Sequence, residues 1–292
     1  MFGRNNEDRM GAKPAPDDVL PAAVQQNQEQ QKEESFQFAF STPTEFVELP
    51  SKGRFYLEGH PLYGKDSVEI RFMTAKDEDI LSSKTLLKKG IAIDRMLSNV
   101  LMDKTLNPDD LLIGDKNALV LASRITGYGS VYDTEITCPA CNTVVRYRFD
   151  LNEKNYNYGD DFGDFEIEET HERTYVLSLP VTKAKVEFRM LSGHDEKQMA
   201  KTTKNRKRTN LPESTMTDIF RLYICSVNGS KKRKDIELFI DNMPALDSKY
   251  LRFAYKQIQP NVDVNQEFVC NECAHEQELE VPFTTAFFWP DR

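Results

Sequence analysis

Along this chain the hydrophobic spacing switches from alternating to helical, and it does so twice. Phe36–Phe40 (F-Q-F-A-F) sets aromatic against small or polar positions, as a half-buried strand does. F-V-E-L-P-S-K-G-R-F-Y at 46–56 continues as a short extended piece with a turn at Gly53, and Val68–Phe72 (V-E-I-R-F) alternates again. At Thr74 the period changes. Asp77 follows this hydroxyl by three positions, an acidic variant of the capping box, which predicts a helix that stops at Gly90. Ile93, Met96, Leu97, Val100 and Leu101 then predict an amphipathic helix over 92–103. Asn107 as cap, Pro108 at the first helical position and two carboxylates in the first turn predict a third helix. That helix, or a successor from Asp115, runs toward Arg124 and ends at the G-Y-G of 127–129. Residues 131–150 alternate on both sides of C-P-A-C, giving strand, tight turn and strand. The run 152–166 is too polar for a core and reads as a linker or surface loop.

The same order then recurs. V-E-I-R-F-M-T-A-K-D-E-D-I-L at 68–81 is echoed by V-E-F-R-M-L-S-G-H-D-E-K-Q-M at 186–199, with the hydroxyl cap again three residues before an aspartate. Helical segments are expected at 218–225 and 247–255. E-F-V-C-N-E-C at 267–273 stands 132 positions after E-I-T-C-P-A-C at 135–141. Chance likeness of short amphipathic pieces is the competing explanation, but order and spacing agree as well as the letters. The expectation is an α+β fold of tandem-duplicated units: a disordered arm over 1–35, a first repeat over 36–151, a polar linker over 152–174 and a second repeat over 175–292. Two related halves can pack about a pseudo-twofold axis, which would set the two cysteine turns face to face.

Composition narrows the chemistry. The arm carries a glutamine-rich run at 25–31 and almost no large apolar residue, so it cannot offset the entropy of ordering. The longest apolar runs fall far short of the roughly 20 residues of a membrane helix. With no secretory leader in view, the five cysteines fit a reducing cytoplasm better than a disulfide framework. A net charge of −9 opposes general nucleic-acid binding, leaving the basic runs 201–208 and 231–234 as local exceptions that usually form a solvated face.

Each C-x-x-C turn can aim two thiolates at one ion, and two turns complete the S₄ set that zinc favours. Cys138, Cys141, Cys270 and Cys273 are therefore the expected ligands of a structural zinc, the two β-hairpins joining as a split zinc ribbon. Thiol–disulfide exchange is the sharper alternative, yet it wants the pair at a helix N-terminus rather than between strands. Cys225 reads as a small buried hydrophobe on a helix, and His275 as a surface residue. His60, His171 and His194 lack metal-site spacing. No nucleophile elbow, phosphate loop or dinucleotide glycine pattern occurs, and the Asp77-Glu78 and Asp195-Glu196 pairs suit helix capping better than acid–base work, so an enzyme is not expected.

L-P-S-K-G-R-F-Y, M-T-A-K-D-E-D-I-L, D-L-L-I-G-D-K-N-A-L-V-L-A-S-R-I-T-G-Y-G, the C-P-A-C hairpin, D-S-K-Y-L-R, C-N-E-C and the terminal F-F-W-P-D together span about 46–291. In that combination the chain resembles the baseplate hub subunit and hub assembly proteins of T-even-type contractile-tailed bacteriophages. The resemblance implies a viral structural or assembly factor, made in the host cytoplasm, that joins other hub or baseplate proteins of the virion tail. It supplies no catalytic residues. Phe287, Phe288 and Trp289 crowd the C-terminal tail, as anchors for a partner pocket or as a tail folded on its own core. An adaptor that binds nucleic acid through the two basic runs is the alternative function.

Overall fold

The computed structural model describes residues 42–208, 215–281 and 287–288; the expected arm over 1–35 and the strand at 36–40 lie outside them. The first half runs β1 (Thr44–Glu48), β2 (Ser67–Arg71), α1 (Ala75–Ser82), α2 (Lys84–Lys89), α3 (Ala92–Val100), α4 (Ile113–Tyr128), β3 (Val131–Thr137) and β4 (Val144–Asp150). Two short strands follow, β5 (Asn155–Asn157) and β6 (Ile167–Glu169). The second half runs β7 (Tyr175–Ser178), β8 (Lys185–Phe188), α5 (Gly193–Arg208), α6 (Thr215–Tyr223), β9 (Ile224–Val227), α7 (Arg233–Asn242), α8 (Ala245–Ile258), β10 (Asn261–Asp263), β11 (Asn265–Val269) and β12 (Glu276–Glu280). The described elements are a mixture of helix and antiparallel strand: pairs β1-β2, β3-β4, β5-β10 and β11-β12, and a four-stranded sheet in the order β6-β7-β8-β9.

The sequence echo has a counterpart in hydrogen bonds. After β2, Arg71 donates to the Phe72 carbonyl and grips Asp77 with two nitrogens at 2.7 and 3.0 Å, while Thr74 donates its N–H and hydroxyl to the same carboxylate. After β8, Arg189 donates to the Met190 carbonyl and grips Asp195 at 2.8 and 2.7 Å, and Ser192 plays the part of Thr74. Each arginine is anchored by its strand and each aspartate by the first helical turn, so a bidentate pair fixes the strand-to-helix angle. A second set recurs between the L-P turns and the later helices. Ser51 donates N–H and hydroxyl to Asp115 at the start of α4, and Val181 with Thr182 do the same for Asp247 at the start of α8. In both turns the next residue, Lys52 or Lys183, takes a positive φ that reverses the chain, in the second half directly into β8.

One continuous hydrophobic cluster holds residues from both halves, from Val47 and Leu49 to Ile258 and Phe288. An ion cluster ties them as well. Lys116 of α4 sits between Asp94 of α3 at 2.7 Å and Glu196 of α5 at 2.6 Å, and Lys197 reaches both Asp94 and Asp109.

Three expectations are corrected. The segment 107–112 is not the first turn of a helix, and the helix starts at Ile113. Its backbone is engaged elsewhere: Ile113 donates to the Leu191 carbonyl, Gly193 to that of Leu111 and His194 to that of Asp109. Tertiary pairing here overrides a good local capping signal. The helix expected through 225 ends at Tyr223, and Cys225 lies half-buried in β9, where Ile224 and Val227 favour the strand that pairs with β8. The stretch 152–174 is also more than a linker, because β5 pairs with β10 and β6 extends the four-stranded sheet. The helix from Thr74 breaks at Ser83, and Gly90 caps its second piece in the left-handed conformation, as its position predicts.

Candidate metal centre

Two hairpins build the site. β3 pairs with β4 from Val131↔Asp150 to Thr137↔Val144, and β11 pairs with β12 from Asn265↔Glu280 to Val269↔Glu276, so each C-x-x-C occupies the connecting turn. The turns share their bonding. Cys138 N–H donates to the Thr143 carbonyl and Asn142 N–H to the Cys138 carbonyl, both at 2.9 Å; Cys270 with His275 and Ala274 with Cys270 repeat this at 2.9 Å. Asn142 and Ala274 each take φ 56°, the left-handed twist that turns both thiols of a pair to one side.

The hairpins meet at those thiols. Sγ of Cys138 lies 3.7 Å from Sγ of Cys273, and Sγ of Cys141 lies 3.8 Å from that of Cys270; all four sulfurs fall within 4.8 Å of one another. Tetrahedral bonds of about 2.3 Å set sulfurs about 3.8 Å apart, so the cluster has the dimensions of a four-thiolate metal site. Four cysteines placed in this way can hold a metal ion. Cys138 and Cys270 are buried beside Val145 and Phe268, whereas Cys141 and Cys273 face solvent. Beneath them Tyr147 packs edge-on against Phe268 and donates its hydroxyl to the Glu267 carbonyl at 2.5 Å, and Gln266 donates to the Asp150 carbonyl at 2.7 Å. These contacts hold the hairpins together from below.

The local field divides the two exposed thiols. Bonds from the Thr143 hydroxyl and N–H draw Cys141 down to about 6. Cys273 receives the corresponding N–H of His275, which lowers it, but burial and the neighbouring thiols push it up to about 12. Cys141 thus parts readily with its proton while Cys273 holds its own, and a bound cation would displace the proton that remains. Thr143 escaped notice in the sequence; its signal is the position two residues after the second cysteine, which His275 shares.

The other candidates fall elsewhere. Phe287 and Phe288, expected as partner anchors if exposed, are 1% and 2% exposed and join the chain's own core, Phe287 edge-on to Tyr132 at 5.3 Å. Burial removes them from any free surface. Trp289 lies outside the described residues. Arg124, fully buried, donates to the carbonyls of Phe287, Gly129 and Val131 at 2.6, 2.7 and 3.1 Å and so staples the tail to the start of β3. His275 is part-buried and bonds Gln277 rather than joining the thiol cluster. The basic run 201–208 is helical in α5, with Arg206 paired to Asp218, while Lys231 meets Glu172 and Arg233 meets Glu237. Among the described residues no helix is long and apolar enough to cross a membrane.

A protein-family model described as T4 bacteriophage base plate protein matches residues 42–289. No curated protein and no solved structure matches the chain.

Proposed function

Because the chain belongs to the T4 bacteriophage base plate protein family, we propose that it is a non-enzymatic structural or assembly component of the central hub of a contractile tail baseplate, stabilised by a structural zinc. It is made in the host cytoplasm and acts on other baseplate proteins of the virion tail. The observation that carries this reading is the family match across nearly the whole described chain, joined to a thiol cluster drawn equally from both halves.

Cys138, Cys141, Cys270 and Cys273 would hold the zinc. When bound, that ion supplies charge neutralisation and a cross-link, and with four protein ligands it has no open position for substrate. The hairpins then act as a split zinc ribbon. The recurring Arg71–Asp77 and Arg189–Asp195 pairs, the Ser51–Asp115 and Thr182–Asp247 contacts and the two cysteine turns support tandem duplication of one ancestral unit. The internal pairing of Arg206, Lys231 and Arg233 favours a structural role for the basic runs over a nucleic-acid adaptor.

Quantitative mass spectrometry of purified particles and of tail intermediates from infected cells tests the function. Fixed stoichiometry in particles makes the chain a hub component, presence in intermediates alone makes it an assembly factor, and absence from both refutes the reading. Metal analysis of the purified chain, expected to give one zinc per molecule, tests the ion.

A further inference from the structure

Helices α4 and α8 correspond over the same interval of 132 positions that relates the cysteine turns. Their inner faces agree: Asp115 and Asp247, Leu119 and Leu251, Ala122 and Ala254 are all buried. Their outer faces do not. On α4, Gly114 lies against the backbone of Pro260 and Asn261, Asn117 bonds Asn261, Leu121 is buried, and Arg124 is closed over by the Phe287 carbonyl. The corresponding side chains of α8 are Leu246, Lys249, Phe253 and Lys256, and all four are exposed. The face of α4 is covered by segments of the second half, β10 with the residue before it and the tail, whereas the corresponding face of α8 is left exposed.

We propose that the outer face of α8 is a docking surface for an acidic amphipathic helix of a partner protein. Leu246 and Phe253 are 58% and 55% exposed and stand seven positions apart, so they lie on one stripe. Met216 of α6, 51% exposed, extends it, its sulfur 3.8 Å from the Arg252 guanidinium. Lys249, Arg252 and Lys256 stand along one side of the stripe, the loop of Asp160, Asp161 and Asp164 meets Gln257 and Tyr250 on the other, and the one acidic residue of α8, Asp247, is buried in its bonds to Val181 and Thr182. On the side of Lys249, Arg252 and Lys256 the sign is therefore opposite to the chain's net charge of −9.

Charge of that sign along one side selects an anionic partner there, and the exposed Leu246, Phe253 and neighbouring Met216 require that partner to bring apolar surface too. A phosphate backbone lacks it; a helix with carboxylates flanking an apolar stripe has it. The 14 residues of α8 give a seat about 21 Å long, enough for four turns of a partner helix. Lys249, with its Nζ over the Phe253 ring at 5.6 Å from its centre, already holds a cation beside the apolar stripe, where a carboxylate would land. The surface rests on charge and exposure alone; that its partner is another tail protein rests on the baseplate reading.

The test uses the purified full chain and fluorescent synthetic peptides, one carrying glutamates around a leucine stripe and one with every glutamate replaced by lysine. The glutamate peptide is expected to bind saturably and more weakly as salt rises. Phe253→Ser and the double variant Lys249→Glu/Arg252→Glu each weaken it about tenfold, with melting unchanged because the side chains are exposed. Failure of the glutamate peptide to bind, equal binding of the lysine peptide, or indifference to both variants overturns the proposal. So does competition by duplex DNA or anionic vesicles, and so does self-association that Phe253→Ser abolishes, which would make a second copy the occupant. None of these results depends on particle composition, so the hub assignment stands or falls separately.

Discussion

Cys138 and Cys273 bring their sulfur atoms to 3.7 Å although 135 positions of chain separate them. A metal there closes a loop that takes in most of the second half. By chain-entropy reckoning a link of that span contributes about 4–5 kcal/mol, as a disulfide of the same span would. Cys270→Ser, or stripping by a strong chelator, is expected to lower the melting temperature by on the order of 10 °C. Calorimetry with metal analysis checks this, and a stripped wild type or a Cys270→Ser variant that melts as the metal-loaded wild type does would sink it.

Acid should release the strand-to-helix clamps. Burial opposes the charge on Asp77 and on Asp195, but the guanidinium of Arg71 or Arg189 and the cap N–H outweigh it and hold both carboxyls below the ordinary carboxylate range. Each group therefore binds its proton less tightly folded than unfolded. The stability it contributes is complete above about pH 4 and fades as pH falls through the folded values. Urea midpoints from pH 7 down to 3 should fall over that window, and Asp77→Asn, costing about 2 kcal/mol at pH 7, should flatten the fall.

The corresponding pair Asp115 and Asp247 should titrate apart. At Asp115 burial outweighs the Ser51 and Tyr56 donors and raises the carboxyl, whereas at Asp247 the N–H groups of Val181 and Thr182 with the Thr182 hydroxyl outweigh burial and lower it. Carbon-13 NMR titration should place Asp115 above the ordinary aspartate value and Asp247 below it. The reverse order would contradict the geometry.

Arg124→Met removes a guanidinium that satisfies three carbonyls and leaves those of Phe287, Gly129 and Val131 without it. The expected cost is about 3 kcal/mol in denaturant unfolding, with the tail becoming the first site of proteolysis. A loss under about 0.5 kcal/mol would show that the staple is dispensable.

Gly114→Ala tests how the halves interlock. A Cβ on Gly114 would run into the backbone of Pro260, which α4 cannot avoid without moving away from β10. Soluble expression should drop sharply, while Gly59→Ala, in open space, gives only the smaller loss that its φ of 92° imposes.

Local rules made much of this legible. Thr74 and Ser192 announced their helices, alternation around both C-x-x-C turns announced the hairpins, and the 132-position interval announced that the cysteines would meet. What escaped is what distant chain decides. Asn107 and Pro108 have every mark of a helix start, yet the backbone of 191–194 takes the hydrogen bonds of that segment. The burial of Phe287 depends on Arg124, a partner 163 positions away, and no periodicity in the tail reports it.

Each cysteine turn supplies only half of a ligand set, and the second half of the set follows the first by 129 positions. A nascent polypeptide carries Cys138 and Cys141 with nothing to close on until Cys270 follows, 129 positions after Cys141, and a product broken off before Cys270 can never complete the cluster. A metal held there would therefore mark completion: it would distinguish copies read through to Cys273 and folded from those that were not.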